Sequence, residues 1–185
     1  SLHRHVSQSY KFDHFTRGFV EVLAAEQTLS DSSWYQGTAD AVRQHLGHFL
    51  NHRFDYFLIL SGDQLYNMDF RHVLDQHIKN KAELTVATIP VNRQAASDFG
   101  VMQIDETRQI REFVEKPTDD AVIDSLRIPS ETRMDLGLGE DEDQYLASMG
   151  IYVFNRELML DFLDSEHIDF GKHIIPEAIK KCRAF

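Results

Sequence analysis

The sequence predicts an α/β domain, because its hydrophobic segments change period in a regular order along the chain. Apolar and polar residues alternate over 19–23, and residues 38–51 carry apolar side chains at helical spacing. Residues 56–60 are continuously apolar, which is typical of a strand covered on both faces. Helical spacing over 69–81 and an apolar strand over 84–90 continue the series. This order predicts a sheet with right-handed crossovers.

The second half of the chain opens with a predicted β-hairpin. Residues 100–104 and 109–114 are strand-like and flank the polar turn 105–108. An acidic stretch without periodicity, 117–144, is predicted to be a surface loop. One strand and two helices are predicted beyond it, over 145–154, 156–163 and 170–181. No repeat or linker divides the sequence, so it predicts one domain over residues 1–185.

The composition of the chain argues against nucleic-acid and membrane partners. The 185 residues carry a formal net charge of -11, which argues against a general nucleic-acid binder, since such proteins need clustered Lys and Arg. No apolar run reaches the length of a membrane helix, and the start shows no signal-peptide pattern. The single cysteine, Cys182, cannot form an internal disulfide. We therefore expect a cytoplasmic protein without membrane or nucleic-acid partners.

Asp63 is a candidate metal ligand. It follows an apolar strand and Gly62, and ligands bind at the carboxyl ends of strands in open α/β sheets. A carboxylate there suits Mg²⁺, which takes oxygen ligands and shares them with substrate phosphates. The same position also suits an Asp that caps the turn before the next helix, and position alone does not decide between these interpretations.

Glu115 and Lys116 form a second candidate pair, followed by the rigid Pro117. The lysine could meet a phosphate as a point charge, and the glutamate could accept hydrogen bonds from sugar hydroxyls. A solvated charge pair at the exit of the hairpin is the simpler interpretation and is favoured on this pattern alone.

Two further patterns have simple structural explanations. Thr38, after Gly37 and the aromatic residues Trp34 and Tyr35, could cap a helix whose N–H groups face an acceptor-rich ligand; a plain N-cap is favoured. His45, His48 and His52 would share a helical face. Without cysteines nearby, a solvated face is favoured over a metal site.

Six short segments occur together and in order, and each is weak alone. They are Tyr35–Ala41, Leu60–Tyr66, Phe99–Met102, Phe113–Pro117, Leu146–Tyr152 and Asp169–Lys172. Together they resemble sugar-1-phosphate nucleotidyltransferases, and the glucose-1-phosphate adenylyltransferases (ADP-glucose pyrophosphorylases) more than their thymidylyl and uridylyl relatives. The resemblance implies a Rossmann-like, GT-A-like domain with a mixed, mostly parallel sheet. It also implies transfer of an adenylyl group from ATP to glucose 1-phosphate, giving ADP-glucose and pyrophosphate for glycogen or starch synthesis.

The resemblance also assigns roles to individual residues. Asp63 and Lys116 would be catalytic, with Asp63 holding Mg²⁺ and Lys116 gripping the sugar phosphate. The remaining matched positions would bind substrate. On the glucose 1-phosphate side these are Tyr35, Gly100, Glu115 and Ser148, and on the nucleotide side Gly37 and Thr38.

The family pattern extends past this sequence at both ends. The residues from Ser1 to His5 read as the middle of a helix. The family's Gly-rich phosphate loop would precede them, and a second metal carboxylate and a left-handed β-helix domain would follow Phe185. We therefore expect a partial catalytic domain that is inactive alone, within a full-length protein that is homotetrameric and regulated by metabolites. Transfer from UTP, dTTP or GTP, or a non-catalytic regulatory subunit, remain open alternatives.

Overall fold

The computed structural model describes residues 2–12, 18–23, 34–138 and 144–185. The chain divides into two compact units, residues 1–36 and 37–185. In the first unit, helix α1 spans Leu2–Ser9, as the opening residues predict. Residues 18–23 form no strand, so the strand prediction for 19–23 is wrong. Alternating polarity is insufficient there, because a strand is stable only beside hydrogen-bonded neighbours.

The second unit holds the helices and strands on which the candidate site is built. Its helices are α2 (Thr38–Gln44), α3 (Leu46–Leu50), α4 (Phe70–Lys79), α5 (Arg93–Ala96), α6 (Asp120–Ser125), α7 (Ser130–Asp135), α8 (Arg156–Leu163) and α9 (Ile175–Lys181), with a π-helical turn over Phe170–Ile174. Its strands are β1 (Tyr56–Leu60), β2 (Leu84–Asn92), β3 (Gly100–Ile104), β4 (Ile110–Glu115) and β5 (Gln144–Asn155). The predicted hairpin is β3–β4, and the predicted strands at 84–90 and 145–154 are confirmed.

One predicted helix is interrupted. The segment 38–51 forms two helices, because the first ends at Gln44 and the second begins at Leu46. His45 lies at the junction and His52 lies beyond α3. The three histidines predicted to share one helical face therefore do not share one helix.

The sheet is organised around β5. Strand β2 pairs with β5 on one edge, while β1 and β3 pair with its other edge. The α/β fold class is confirmed. The prediction of mostly parallel pairing differs from the structure, since every pairing among these five strands is antiparallel. Strands β1 and β2 do run in the same direction, but β5 lies between them.

Strand β1 is covered on one face only among the described residues. Phe57 is buried, whereas Tyr56, Leu58 and Leu60 are 37%, 43% and 40% exposed. The prediction of a strand covered on both faces is therefore wrong for this part of the chain. A continuous apolar run records hydrophobicity but does not reveal which face has a neighbour.

The acidic stretch 117–144 is more ordered than its lack of periodicity predicts. It contains α6 and α7, and residues 139–143 lie outside the described part of the chain. Asp119 caps α6, because its carboxylate accepts from the Ala121 and Val122 N–H groups (2.8 and 3.3 Å). Ile123 and Leu126 are buried beside Tyr145. Helices of one or two turns are too short to show a clear 3.6-residue period.

The core lies between the sheet and the helices that follow β5. Leu84, Met102, Ile110 and Phe154 are sheet side chains of this core and are at most 1% exposed. Residues from α2, α8, the π-helical turn and α9 pack on them. Among the described residues, no helix has the length and apolar character that crossing a membrane requires. This packing brings α2 and the π-helical turn to the edge where β4 ends.

Candidate active site

Lys116 adopts a strained backbone conformation at the end of β4. Its φ is +46°, in the left-handed region that residues other than glycine rarely occupy. Its N–H donates to the Phe99 carbonyl oxygen (3.0 Å), and Pro117 behind it is buried. The side chain is exposed. Such strain costs about 1–3 kcal/mol and concentrates at functional sites.

Two glycines enclose the Glu115 carboxylate. A Cβ on Gly100 would lie 2.7 Å from Glu115 Oε2 and 2.3 Å from Phe113 Cζ, and a Cβ on Gly171 would also lie 2.7 Å from Oε2. Each of these positions therefore needs glycine while Glu115 keeps its place. Burial, with the nearby Asp169 charge, raises the pKa of Glu115, and Lys116 and Lys172 oppose that increase.

A bulge in β5 carries Ser148 and Tyr152. Val86 and Thr88 of β2 face Tyr152 and Ser148, so three residues of β5 oppose one of β2. Bulges of this kind recur beside active sites. The Ser148 hydroxyl donates to Tyr152 OH (3.3 Å) and accepts from the Gly150 N–H (3.2 Å). Burial raises the pKa of Tyr152, and the charges of Glu115 and Asp169 add to the increase.

The same bulge supports the loop of Asp63. Gly150 has a φ of +67°, and its carbonyl oxygen accepts from the Ser61 N–H (3.2 Å). The Ser61 hydroxyl donates to Asp63 Oδ1 (2.5 Å), and Tyr66 OH donates to the Ser61 carbonyl oxygen (2.8 Å). The hydrogen bond from Ser61 is the main reason that the pKa of Asp63 is lowered. Asp63 is therefore an exposed, ionised carboxylate held by its neighbours.

The chemistry of Asp63 fits a magnesium ligand that shares its ion with a substrate. No group of three or more His, Cys, Asp or Glu side chains in the described ranges could hold a metal by itself. Mg²⁺ is commonly held by one or two carboxylates together with substrate phosphates. A single oriented carboxylate is suited to that mode of binding.

Thr38 has a different role from the predicted N-cap. Gly37 precedes helix α2 and makes no side-chain cap, and Thr38 is the first helical residue. The Thr38 hydroxyl donates to Asp169 Oδ2 and accepts from the Phe170 N–H, both at 3.2 Å. The prediction of Thr38 as a cap is therefore wrong. Its side chain instead fastens α2 to the π-helical turn.

The first N–H groups of α2 are also engaged by the protein. The Ala39 and Asp40 N–H groups donate to the Ile168 carbonyl oxygen (2.9 and 3.3 Å). A Cβ on Gly37 would lie 2.3 Å from that oxygen, so the close approach requires glycine. These two N–H groups do not face an acceptor-rich ligand as predicted. A nucleotide-side role for Gly37 and Thr38 remains a prediction.

The structure brings most of the predicted sugar-phosphate residues together. Gly100 contacts Glu115, and Glu115 lies near Tyr152, which is hydrogen-bonded to Ser148. Tyr35 belongs to the first unit and is half-buried, and its role remains a prediction.

Sequence reasoning missed several neighbours of Glu115. Gly171 encloses its carboxylate, and Asp169, Lys172 and Tyr152 lie within electrostatic range of it. All four fall inside the last two of the six ordered segments. Their place in those segments was the available sign of a role in the site. Polarity and periodicity do not show that these residues lie near a carboxylate 37 or more positions earlier in the chain.

A comparison of the sequence with known protein families gives a match over nearly the whole chain. The nucleotidyl transferase family model covers residues 1–184. Members of this family are transferases that bind nucleotide and sugar phosphate substrates. The match includes every strand and helix that builds the site, and the chain belongs to the nucleotidyl transferase family.

Proposed function

We propose that this protein transfers the adenylyl group of ATP to glucose 1-phosphate, giving ADP-glucose and pyrophosphate. One observation carries the sugar-phosphate part of the proposal. The Glu115 carboxylate is enclosed by Gly100 and Gly171, and the next residue is an exposed lysine in a strained conformation. An enclosed acceptor beside an exposed cation suits a ligand with hydroxyl groups next to a phosphate.

Glu115 and its neighbours suit a hexose. The carboxylates of Glu115 and Asp169 can accept hydrogen bonds from sugar hydroxyls, while the Ser148 and Tyr152 hydroxyls can donate or accept. The glycine walls leave the sugar ring room to approach the backbone closely. Because a polar site left unpaired loses affinity strongly, such a set discriminates against sugars that lack a matching hydroxyl.

Lys116 and Lys172 suit the phosphate. Both influence the charge on Glu115, so both lie near its carboxylate, and both are exposed. We assign Lys116 the larger role because its backbone is strained. A lysine acts on phosphate as a compact point charge. Holding the phosphate in a fixed place raises the effective concentration of the nucleophile.

The reaction forms one bond and breaks another. A phosphate oxygen of glucose 1-phosphate attacks the α-phosphorus of ATP as the bond from that phosphorus to the bridging β-phosphate oxygen breaks. Pyrophosphate leaves with that oxygen. Lys116 holds the attacking phosphate, and Asp63 is the carboxylate that would hold Mg²⁺. When bound, Mg²⁺ supplies neutralisation of the charge developing on the phosphoryl oxygens.

The choice of ATP is supported by the resemblance of segments 35–41 and 146–152 to adenylyltransferases. It can be tested in the reverse direction, with the full-length protein, pyrophosphate and a panel of ADP-, UDP-, dTDP- and GDP-sugars. We expect kcat/KM for ADP-glucose to exceed that for the others by about tenfold or more. A preference for another nucleotide would overturn the adenylyl assignment. Absence of turnover with every sugar nucleotide would favour a regulatory subunit.

A further inference from the structure

Three residues other than glycine have positive φ in the described part of the chain, and all three are cations. They are Lys81 (+50°), Arg108 (+66°) and Lys116 (+46°). Lys116 belongs to the site described above. Left-handed backbone is costly for residues other than glycine, so a cation retained in this conformation points to a use for the side chain. Lys81 and Arg108 lie at one cleft on a different part of the molecule.

Lys81 occupies a position at which glycine is the usual residue. Helix α4 ends with paired hydrogen bonds, from the Lys81 N–H to the Ile78 carbonyl oxygen (3.0 Å) and from the Ala82 N–H to the His77 carbonyl oxygen (2.9 Å). This is the Schellman arrangement, in which the left-handed residue is most often glycine. The helix end would therefore form at least as well without the lysine side chain.

Arg108 occupies a similar position in the β3–β4 turn. Its N–H donates to the Asp105 carbonyl oxygen (2.8 Å), and the Asp105 N–H donates to the Gln109 carbonyl oxygen (3.0 Å). The left-handed residue of such a hairpin turn is commonly glycine. The backbone again gives no reason for the long cationic side chain.

The two turns border a cleft with a polar and an apolar part, which share Asn80 and Phe185. The polar part has a volume of about 610 Å³ and is lined by Lys79, Lys81, Thr107, Gln109 and Arg183 as well. The apolar part has a volume of about 370 Å³, and its lining includes Val73, Val86, Met102, Ile110, Leu146 and Arg108. Three cations therefore line the polar part, in a protein with a net charge of -11.

The guanidinium of Arg183 is held in place. Its Nη2 donates to the Asn80 carbonyl oxygen (3.0 Å), and its Cζ lies 5.6 Å from the centre of the Phe185 ring. A guanidinium has five N–H donors, so this one keeps donors for a ligand. A preorganised cation loses less side-chain freedom when it binds an anion.

The nearest carboxylates do not neutralise the polar part of the cleft. The Asp105 carboxylate is paired with Arg111 at 2.5 Å and accepts from the N–H groups of its own turn. The Glu83 carboxylate accepts from the Arg183 backbone N–H (3.0 Å). Neither residue lines the polar part, and no other Asp or Glu among the described residues does.

We infer that this cleft binds a small organic phosphate. The phosphate group would lie among Lys79, Lys81 and Arg183, and an apolar or ring group would lie in the apolar part of the cleft. The site shares no lining residue with the Glu115–Lys116 site. The inference does not rest on the proposed function, because it uses neither Asp63 nor Lys116.

Phenyl phosphate is a suitable probe, since it joins a phosphate to a ring. Binding to the 185-residue chain can be followed by amide chemical shifts in NMR, with inorganic phosphate and phenol as partial probes. We expect phenyl phosphate to bind more tightly than either, to shift the amides of 79–82, 107–109 and 183–185, and to weaken as salt is added. No saturation below about 10 mM, or shifts confined to residues 115–117, would overturn the inference.

Lys81→Gly and Arg108→Gly give a test in which folding and binding separate. Glycine is favoured at both φ values, so neither variant should lower Tm. Lys81→Gly should weaken phenyl phosphate binding about fivefold or more, as expected for loss of one partly exposed cation. Arg108→Gly should weaken it less, because Arg108 lines the apolar part of the cleft. Lys180→Ala changes an exposed lysine that does not line the cleft and should leave the shifts of residues 79–82 and 183–185 on binding unchanged. Unchanged binding in Lys81→Gly, or equal weakening in Lys180→Ala, would contradict the proposed site.

Discussion

The C-terminal end of β5 and its central bulge hold polar side chains in opposite ways. At the end, both ring nitrogens of His77 have partners, Thr85 Oγ1 at 2.8 Å and Asn155 Oδ1 at 2.9 Å, and the ring is 1% exposed. At the bulge, Tyr152 is influenced by the charges of Glu115 and Asp169, and Glu115 in turn by the exposed Lys116 and Lys172.

His77 therefore stabilises the fold, whereas we propose that the groups at the bulge bind substrate. A buried network with every member satisfied adds rigidity. A set of oriented groups with unused hydrogen-bonding capacity can exchange water for a ligand. Lys116, which follows Glu115 in the chain, also has a strained backbone conformation. Variants at the two regions should therefore change different quantities.

The largest expected effect is at Asp63. Asp63→Asn in the full-length protein removes the charge of the proposed metal ligand while keeping its size, so kcat should fall about a thousandfold or more. Steady-state kinetics with ATP and glucose 1-phosphate measures this. Asp161→Asn changes an exposed carboxylate on α8 and should leave kcat unchanged. A loss of less than about tenfold in Asp63→Asn would exclude the role.

Gly171→Ala should damage binding more than folding. The new Cβ would meet the Glu115 carboxylate at 2.7 Å, and the carboxylate can move aside because it is the end of a flexible side chain. Displacing a positioned group by about 1 Å can cost about 100-fold in kcat/KM. Gly47→Ala is the matched control, since its Cβ would have no neighbour within 4 Å. Equal kinetics for the two variants would show that Glu115 does not position substrate.

His77 should make the free energy of unfolding depend on pH. Its substitution should leave substrate kinetics unchanged. Burial lowers the pKa of His77 from its ordinary value of 6.5, so the unfolded chain binds this proton more readily than the folded protein. The contribution of His77 to the free energy of unfolding is complete above about pH 6.5. It is lost as pH falls toward the folded-state pKa, by at most about 1.4 kcal/mol per pH unit.

Urea unfolding at a series of pH values measures the slope of the free energy of unfolding against pH. His77→Gln should flatten it, whereas His72→Gln, which alters an exposed histidine on the same helix, should not. Identical slopes in His77→Gln and the unaltered protein would show that another group titrates.

The sequence predicts the fold more completely than the site, for physical reasons. Period and apolar content locate β2, β5 and the β3–β4 hairpin to within one or two residues, because burial of one face imposes a period. The predictions of a strand over 19–23 and of a second covered face for β1 were wrong, because both depend on neighbouring segments that no local pattern specifies. Asp63 and Lys116 stand after strand ends, where position makes them candidates but does not decide their roles. Asp169, Gly171 and the bulge at Gly150 depend on contacts between distant segments.

The central claim is that Lys116 is held in a strained conformation because it binds the phosphate of glucose 1-phosphate. Lys116→Gly tests it most directly, because glycine accepts a φ of +46° and removes only the cation. Together with Lys116→Ala, it should raise the KM for glucose 1-phosphate about tenfold or more with little change in the KM for ATP. Lys116→Gly should do so without lowering Tm. An unchanged KM for glucose 1-phosphate, or a change in the KM for ATP alone, would contradict the claim.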